Sequence, residues 1–280
     1  MTTTLRPTQP LRHHGDGARS RTYEVRVNSR HVGTLELSIA SGSRPWVGLI
    51  RDLRIEEPDR RRGRGTVAAL AAEEVLRGWH CTCVAVSVPA DAREALRMAE
   101  SLGYRETGRV MVKELSAGPP ALPDGSRGRA MTPAEFDAWL EPAVVAYGRN
   151  LTAPGMTAEQ GVAASRAEHA RMLPAGRETP GASFHVLEGP GGGVLGTLWV
   201  GERDLPGRGP VPYVYDVEVA PGHRRRGHGR SLMLLAEHAA LAAGARSLGL
   251  HVSEGNTPAR RLYESLGYRD TSVNAIKQLI

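Results

Sequence analysis

Lysine is nearly absent from this chain of 280 residues, since Lys113 and Lys277 are its only two lysines. The net charge of +6 therefore comes from arginine. A basic chain can bind nucleic acid, but aromatic residues make up only 5% of this one, too few for base-stacking platforms. Its arginine runs also lie in two short segments and not along one helix face. These features predict that nucleic acid is not a partner.

Long apolar runs are absent as well. No stretch of about 18 apolar residues occurs, so we expect no membrane span and no membrane partner. Residues 1–20 have no apolar centre, which excludes a signal peptide and predicts a disordered leader. Cys81 and Cys83 are the only cysteines, and two thiols on one predicted strand cannot complete a zinc site. We therefore expect a reduced, cytoplasmic protein without a metal.

One pattern occurs twice in the chain. Residues 51–65 and 101–105 both recur in the second half at a constant offset of 164, so that Gly63 falls on Gly227. Two separated blocks that share one offset without a gap indicate a tandem duplication. A segment rich in proline and glycine separates the two repeats and predicts a linker. The predicted division is a leader at 1–20, a first domain at 21–115, a linker at 116–128 and a second domain at 129–280.

The second repeat is predicted to be the longer one. Its hydrophobic periodicity gives the order β-α-α-β-β-β-α-β-α-β. Thr132 with Glu135, and Thr157 with Gln160, form capping boxes that open its first two helices. The first repeat shows the same order without these two helices. We therefore expect two related domains, of which the first is truncated.

The segment from Tyr213 to Ser231 joins a strand, a loop rich in arginine and glycine, and a helix. A helix N-terminus attracts anions through its free N–H groups and its dipole. Gly227 and Gly229 allow the backbone to approach a phosphate, and Arg224–Arg226 add positive charge. The glycine spacing differs from the Rossmann fingerprint, and the Gly-Lys-Ser/Thr of a P-loop is missing. The segment predicts a site for a phosphorylated cofactor of another kind.

Two motifs resemble those of the GNAT family of N-acetyltransferases. Arg-x-x-Gly-x-Gly after a strand ending Val-x-Val-x-Pro resembles the family's loop for the pyrophosphate of acyl-CoA. GNTPARRLYESLGY, at 255–268, resembles its second cofactor motif, Asn-x-x-Ala-x-x-Leu-Tyr-x-x-x-Gly-Phe/Tyr. The resemblance covers nearly all of the chain after residue 20. It implies an α/β fold (α+β, mixed sheet) with two tandem GNAT acyl-CoA N-acyltransferase domains, and acetyl-CoA (CoA) as the cofactor.

The resemblance also implies where the cofactor lies. Pantetheine would hydrogen-bond to the backbone of Val217 and Val219 like an added strand, and one amide there would stabilise a developing oxyanion. Asn256 would contact the CoA arm, although an ordinary N-cap is the alternative interpretation. The implied cofactor contacts are Val217, Val219, Arg224, Arg225, Arg226, Gly227, His228, Gly229, Arg230, Asn256, Ala259 and Tyr263.

The catalytic assignments follow from the same resemblance. Tyr263 is the expected general acid for the departing CoA thiolate, because reference pKa values of a phenol and a thiol differ by only about two units. A packed tyrosine with a structural hydroxyl is the alternative. Glu218 is the first candidate for the general base and His251 the second, while Asp216 and Glu254 also lie near the cleft. Because Asp216 recurs as Asp52, the repeat favours a structural role for it.

The first repeat keeps the loop but loses the other groups. Ala92 replaces Asn256, and Ala99 replaces Tyr263. Three carboxylates beside the loop, at 56, 57 and 59, would also repel a phosphate. We predict that the first domain is catalytically silent. A possible second cofactor site there consists of Arg60, Arg62, Gly63, Arg64 and Gly65.

The sequence predicts direct acetyl transfer to a primary amine of a small molecule or peptide, with the active site in the second domain. No cysteine or serine is placed to carry an acyl group. A non-catalytic acyl-CoA-binding or regulatory protein is the alternative. The acceptor, the length of the acyl group and the choice between a monomer and a homodimer remain open.

Overall fold

A computed structural model describes residues 3–279, except 15–16, 41–45, 117, 119–120, 124 and 152–155. The chain divides into two compact units. Unit 1 takes in the described residues up to Thr107, with Tyr147–Glu168 and the residues from Val273 on. Unit 2 takes in Gly108–Ala146 and His169–Ser272. These units are discontinuous along the chain, whereas the predicted domains are continuous.

The first repeat forms seven strands and two α-helices within the described residues. A tight turn at Asn28 and Ser29, both with positive φ, joins its two long antiparallel strands. The elements are β1 (Thr3–Pro7), β2 (Arg12–His13), β3 (Arg19–Val27), β4 (Arg30–Ile39), β5 (Val47–Ile55), α1 (Arg64–Gly78), β6 (Cys83–Pro89), α2 (Arg93–Ser101) and β7 (Arg105–Glu114).

The second repeat adds six strands and four α-helices. The two capping boxes open its first helices as predicted: Thr132 N–H donates to Glu135, and Thr157 N–H donates to Gln160, each at 2.8 Å. The elements are β8 (Arg127–Ala130), α3 (Pro133–Asn150), α4 (Ala158–Met172), β9 (Ser183–Glu188), β10 (Val194–Leu205), β11 (Gly209–Val219), α5 (His228–Ala242), β12 (Ser247–Ser253), α6 (Thr257–Ser265) and β13 (Arg269–Gln278).

The last strand of each repeat lies in the unit built mainly from the other repeat. In unit 2, β7 pairs antiparallel with β12 from Ser247↔Glu114 to Ser253↔Gly108. In unit 1, β13 neighbours β6, and Leu279 N–H donates to Thr82 O at 2.8 Å. Strand order is therefore β1-β3-β4-β5-β6-β13 in unit 1 and β7-β12-β11-β10-β9-β8 in unit 2.

Each unit has its own hydrophobic core. In unit 1, α1 packs through Ala68, Ala72 and Leu76 against β3–β6. In unit 2, α5 and α6 cover one face of the sheet, where Leu232, Leu250 and other apolar residues are buried. The opposite face carries an aromatic cluster formed by Phe136, Trp139, Phe184 and Trp199 with Tyr215 at its edge.

One sequence prediction differs from the structure. The leader is not structureless, because β1 pairs with β3 from Thr3↔Val27 to Pro7↔Tyr23. The predicted linker at 116–128 falls partly outside the described residues.

Candidate active site

The central strand β11 opens away from β12 at its C-terminal half. The two strands are parallel and pair only at Tyr213↔Gly249 and Val214↔Leu250. A register shift against β10, between Trp199/Val200, leaves Tyr215 as an extra residue and forms a β-bulge. Such a bulge bends its strand and increases the local twist. The result is a gap between residues 216–219 of β11 and the end of β12.

The backbone of Val217 and Val219 faces this gap. Ala220 N–H donates to Leu195 O on β10 at 2.9 Å. Because backbone groups alternate direction along a strand, Glu218 also points its N–H and C=O toward β10. The intervening Val217 and Val219 therefore direct theirs away from β10, into the gap. Their side chains pack on the core beneath α5, so the predicted roles require only their main chain.

Beyond β11, the loop to α5 has the geometry of an anion site. Gly227 is the N-cap of α5 with φ 87°, and Arg225 also has a positive φ of 61°. No described atom outside its chain neighbours lies within 4 Å of the position that a Cβ on Gly227 would take. Helix α5 begins at His228, so its first N–H groups open onto this space. The loop therefore combines open room with the positive end of a helix dipole.

The loop arginines divide into two kinds. Arg224 folds back on the strand, where its Nε donates to Val219 O and its Nη2 to Glu218 Oε1, both at 3.1 Å. Arg230 donates from Nη2 to Ser265 Oγ at 2.6 Å. Arg225 and Arg226 extend toward solvent. Arg225 and Arg226 are therefore better placed to bind a phosphate than Arg224 and Arg230.

Helix α6 presents Asn256, Ala259 and Tyr263. Asn256 is its N-cap, and its Oδ1 accepts a hydrogen bond from Ala259 N–H at 3.3 Å. The capping interpretation is thus realised, while the side-chain NH₂ of Asn256 stays exposed to solvent. Tyr263 is only 6% exposed and packs in the core beneath the sheet. Burial first, and the nearby Asp216 second, raise the pKa of Tyr263 to about 12.

The two leading base candidates lie in different surroundings. The side chain of Glu218 is 55% exposed and pairs with Arg224 at 3.1 Å. His251 is exposed on β12, yet surrounding protein atoms and then the charge of Arg203 lower its pKa to about 4. His251 is therefore neutral at pH 7 and a weak base.

Asp216 differs sharply from its repeat partner Asp52. Asp216 pairs across the sheet with Trp199, and its Oδ2 accepts a hydrogen bond from Trp139 Nε1 at 3.1 Å. Asp52 has a positive φ of 48°, pairs with Arg54 at 3.1 Å and is 69% exposed. The contact with Trp139 joins residues far apart in sequence, so no local sequence signal could have revealed it.

The first repeat keeps the loop geometry but holds a carboxylate inside it. Gly63 caps α1 with φ 72°, as Gly227 caps α5. Asp59 is 2% exposed and accepts hydrogen bonds from both Nη atoms of Arg30, at 2.8 and 2.6 Å. Arg64, the first residue of α1, is also buried and ion-paired to Asp59. One cation of the possible second cofactor site is therefore already paired within the protein.

Two further features concern metals and membranes. Within the described part of the chain, no group of three or more His, Cys, Asp and Glu side chains could hold a metal ion. Both cysteines are buried free thiols, and burial raises the pKa of Cys81 to about 11. Among the described helices, none combines the length and apolar character needed to cross a bilayer.

The Acetyltransferase (GNAT) family matches this chain in two segments, residues 3–104 and 150–268. The chain therefore belongs to the GNAT acetyltransferase family, which uses acyl-CoA. This membership confirms the predicted mixed α/β fold, the duplication and the enzyme class. The first segment begins within the leader, in agreement with the pairing of β1 and β3.

Two relatives are similar to this chain over most of its length. The mycothiol acetyltransferase of Salinispora tropica is 31% identical over 268 residues, which are 90% of this chain and 79% of that protein. The mycothiol acetyltransferase of Saccharomonospora viridis is 29% identical, covering 78% of this chain and 70% of its own length.

Two solved structures share the fold. A GCN5-related N-acetyltransferase from Sphaerobacter thermophilus has a TM-score of 0.60 at 22% identity, over 92% of this chain and 80% of its own. A tandem GNAT protein from the clavulanic acid biosynthesis pathway has a TM-score of 0.56 at 20% identity, over 95% and 85%.

Proposed function

We propose that this protein is an acetyl-CoA-dependent N-acetyltransferase that acts in its second half. It would transfer the acetyl group directly to a primary amine of a small molecule or peptide. The observation that supports this proposal is the gap beside β11. Unit 2 contains every group that the proposal needs: the backbone of Val217 and Val219, the N-terminus of α5 and the hydroxyl of Tyr263.

The residues present fit acetyl-CoA, which supplies the acetyl group as a thioester. The loop at Gly227 offers open space, a helix N-terminus and the exposed guanidinium groups of Arg225 and Arg226 for phosphates. The C=O of Val217 and the N–H of Val219 would bind the amides of the pantetheine arm. The C=O of Val219 already accepts from Arg224, and the N–H of Val217 interacts with the Asp216 carboxylate. The exposed amide of Asn256 would bind the same arm. Arg224 would bind a phosphate only after releasing Glu218 and Val219, and Arg230 only after releasing Ser265.

Tyr263 is proposed to donate a proton to the departing sulfur. Its raised pKa, about 12, keeps the phenol protonated at neutral pH, which is the form that can donate. The same shift makes it a weaker acid than a free phenol. Its contribution therefore depends on the alignment of the hydroxyl with the sulfur more than on acid strength.

The acceptor loses a proton before or as it attacks. Glu218 and His251 stay our sequence-based predictions for the base. Its exposure and its pairing with Arg224 make Glu218 a poor base. The low pKa of His251 makes the imidazole a weak base. The relatives named mycothiol acetyltransferases support acetyl transfer, but the sequence contains no motif specific to mycothiol.

The first repeat is proposed to be silent in catalysis. Ala92 and Ala99 occupy the places of Asn256 and Tyr263, and Asp59 binds Arg64 at the loop. Its role would be to complete the fold. Any acetyl-CoA bound there would lack the groups that assist transfer.

The direct test is turnover with a panel of amines. Purified protein is incubated with acetyl-CoA and alkylamines, amino acids, aminoglycosides or short peptides, and thiol release is followed with a chromogenic disulfide. We expect release that depends on both the amine and the enzyme, with the acetylated amine detected by mass spectrometry. Binding of acetyl-CoA without thiol release for any amine would favour the alternative, a non-catalytic acyl-CoA-binding protein.

A further inference from the structure

Asp216 is a half-buried carboxylate beside the gap. It follows the bulge residue Tyr215 directly and lies opposite Trp199 on β10. Trp139 Nε1, from α3, donates to its Oδ2 at 3.1 Å and fixes its orientation. Trp139 is itself buried and packs against the buried Trp199, with ring centroids 5.8 Å apart. The hydrogen-bond donor to the carboxylate is therefore held in place by aromatic packing.

The groups that interact with Asp216 lie on α3, α4 and α6 and on its own strand β11. Burial is the largest influence and raises its pKa above the ordinary value for aspartate. Glu218 on the same strand raises this pKa further, while the Trp139 hydrogen bond, His169 on α4 and the Val217 N–H lower it. Asp216 in turn helps to raise the pKa of Tyr263 on α6. The carboxylate is thus within electrostatic reach of the proposed acid, across the gap.

We infer that Asp216, and not Glu218 or His251, accepts the proton of the acceptor's ammonium group; this inference rests on the proposed function. An N–H bond of the ammonium breaks and its proton passes to the Asp216 carboxylate, and from there to solvent. The freed electron pair forms the bond between nitrogen and the acetyl carbon, the carbon–sulfur bond breaks, and Tyr263 gives its proton to sulfur. The second proton that the nitrogen loses returns to Tyr263 through water, so the protons balance.

Geometry separates Asp216 from the other candidates. Glu218 is exposed and held by Arg224, so solvent and a guanidinium compete for its proton-accepting oxygens. Asp216 is desolvated and has no arginine or lysine partner within 4 Å among the described residues. A desolvated carboxylate with a raised pKa is a stronger base than an exposed one paired with arginine. The repeat partner Asp52 has none of these features, so the shared position does not imply a shared role.

Asp216→Asn tests the assignment, because asparagine keeps the shape and can still accept from Trp139. We expect kcat to fall by about 100-fold or more, the usual weight of a general base. Acetyl-CoA affinity and thermal stability should stay within twofold and a few degrees of the wild type. Asp52→Asn, the matched change in the first repeat, should leave kcat unchanged, and Glu218→Gln should lower it by less than fivefold.

A pH profile supplies a second, independent reading. In the wild type, kcat/KM should fall tenfold per pH unit below the pKa of Asp216, because only the carboxylate form accepts a proton. The same pKa should appear in the tryptophan fluorescence of the free enzyme through Trp139, and Asp216→Asn should abolish both. An acidic limb that survives in Asp216→Asn but disappears in Glu218→Gln would overturn the inference while leaving the proposed function intact. Lack of turnover with every amine would instead overturn the proposed function.

A separate observation concerns the charge of the acceptor. The guanidinium of Arg203 lies over the ring of Tyr213, with Cζ 4.8 Å from the centroid. Among the described residues it has no carboxylate within 4 Å, whereas Arg208 on the same hairpin pairs with Glu114 at 2.6 Å. Tyr213 lies 5.1 Å from Tyr215, the bulge residue next to Asp216. The rings of Tyr213 and Tyr215 therefore lie between the Arg203 guanidinium and Asp216.

We propose that Arg203 binds an anionic group of the acceptor, so that the preferred acceptor is an amine that also carries a carboxylate. Tyr213 and Asp216 are three positions apart on the strand, a span of about 10 Å at most, which suits an acceptor whose amine and carboxylate are several bonds apart, such as lysine or a short peptide. The test compares lysine with cadaverine and 6-aminohexanoate with pentylamine, pairs that differ only in the carboxylate. KM should be at least tenfold lower for the carboxylate member, and Arg203→Met should abolish that difference. Arg208→Met is the matched control and should preserve it. Equal KM values within both pairs in the wild type would overturn the proposal without affecting the proposed function.

Discussion

Lys113 Nζ donates to Glu237 Oε1 at 2.6 Å, and this ion pair has a counterpart between Lys277 Nζ and Glu73 Oε2 at 2.7 Å. Positions 113 and 277, like 73 and 237, differ by the repeat offset of 164. Each of the chain's two lysines therefore binds a buried glutamate of the other repeat, Glu237 on α5 or Glu73 on α1. Both lysines therefore make the same reciprocal ion pair.

We expect Lys113→Met and Lys277→Met to destabilise the protein by similar amounts. Each removes the partner of a glutamate side chain that is only 4% exposed. Breaking a buried ion pair in this way costs about 3–5 kcal/mol, because a buried charge is left uncompensated. Chemical denaturation of each variant measures the loss. A change below 0.5 kcal/mol in both variants would show that these pairs do not support the fold.

Separate production of the two halves tests the strand exchange. A fragment of residues 1–122 carries β7, which pairs with β12, and a fragment of residues 123–280 carries β13, which neighbours β6. Each fragment alone leaves a long edge unpaired and should aggregate or remain partly unfolded. Produced together, they should co-purify as a one-to-one complex. Two fragments that fold independently and elute as separate monomers would contradict the exchange.

The fold was largely predictable where its signals are local. The capping boxes at Thr132 and Thr157 depend on residues three positions apart, and both formed as expected. The exchange of β7 and β13 was not predictable, because in a duplicated sequence a strand finds equivalent partners in either repeat. The leader was misjudged because β1, at the edge of the sheet, is only partly buried and carries too few apolar residues for a strand pattern.

The candidate site was predictable in its backbone and less so in its charges. Glycine positions predicted the loop, and the GNAT resemblance implied the roles of Val217 and Val219. The contrast between Asp216 and Glu218 depends on partners from elsewhere in the chain, Trp139 for one and Arg224 for the other. Sequence alternation places both carboxylates on one face but contains no information on which one is less exposed to solvent.

Tyr263→Phe should lower kcat by about 100-fold and leave acetyl-CoA affinity unchanged, because it removes only the proton that sulfur would take. Since burial raises the pKa of Tyr263 to about 12, the wild-type rate should show no loss from ionisation of this phenol below about pH 11. Tyr268→Phe is the control, since Tyr268 is fully buried near Glu237. It should alter stability and not kcat, and full turnover in Tyr263→Phe would refute the acid role.

Asn256 should have two separable effects. Asn256→Ala removes the N-cap of α6 and should cost about 1 kcal/mol of stability. It should also weaken acetyl-CoA binding. Ala92 occupies the same position in the first repeat with nearly the same backbone angles, so Ala92→Asn should add up to about 1 kcal/mol without changing acetyl-CoA binding. Calorimetry and thermal denaturation of both variants measure these effects, and wild-type affinity in Asn256→Ala would remove Asn256 from the cofactor site.

The central claim is that acetyl-CoA binds at the loop of the second repeat, and we predict that the first repeat, where Arg64 is already paired with Asp59, binds none. Isothermal titration calorimetry of the wild type, Arg226→Ala and Arg62→Ala tests it most directly, because these two exposed arginines occupy matched positions. We predict one acetyl-CoA per chain, an affinity at least tenfold weaker in Arg226→Ala, as expected for the loss of a charge-assisted contact, and no change in Arg62→Ala. Two acetyl-CoA molecules per chain, or a loss of affinity in Arg62→Ala alone, would contradict the account.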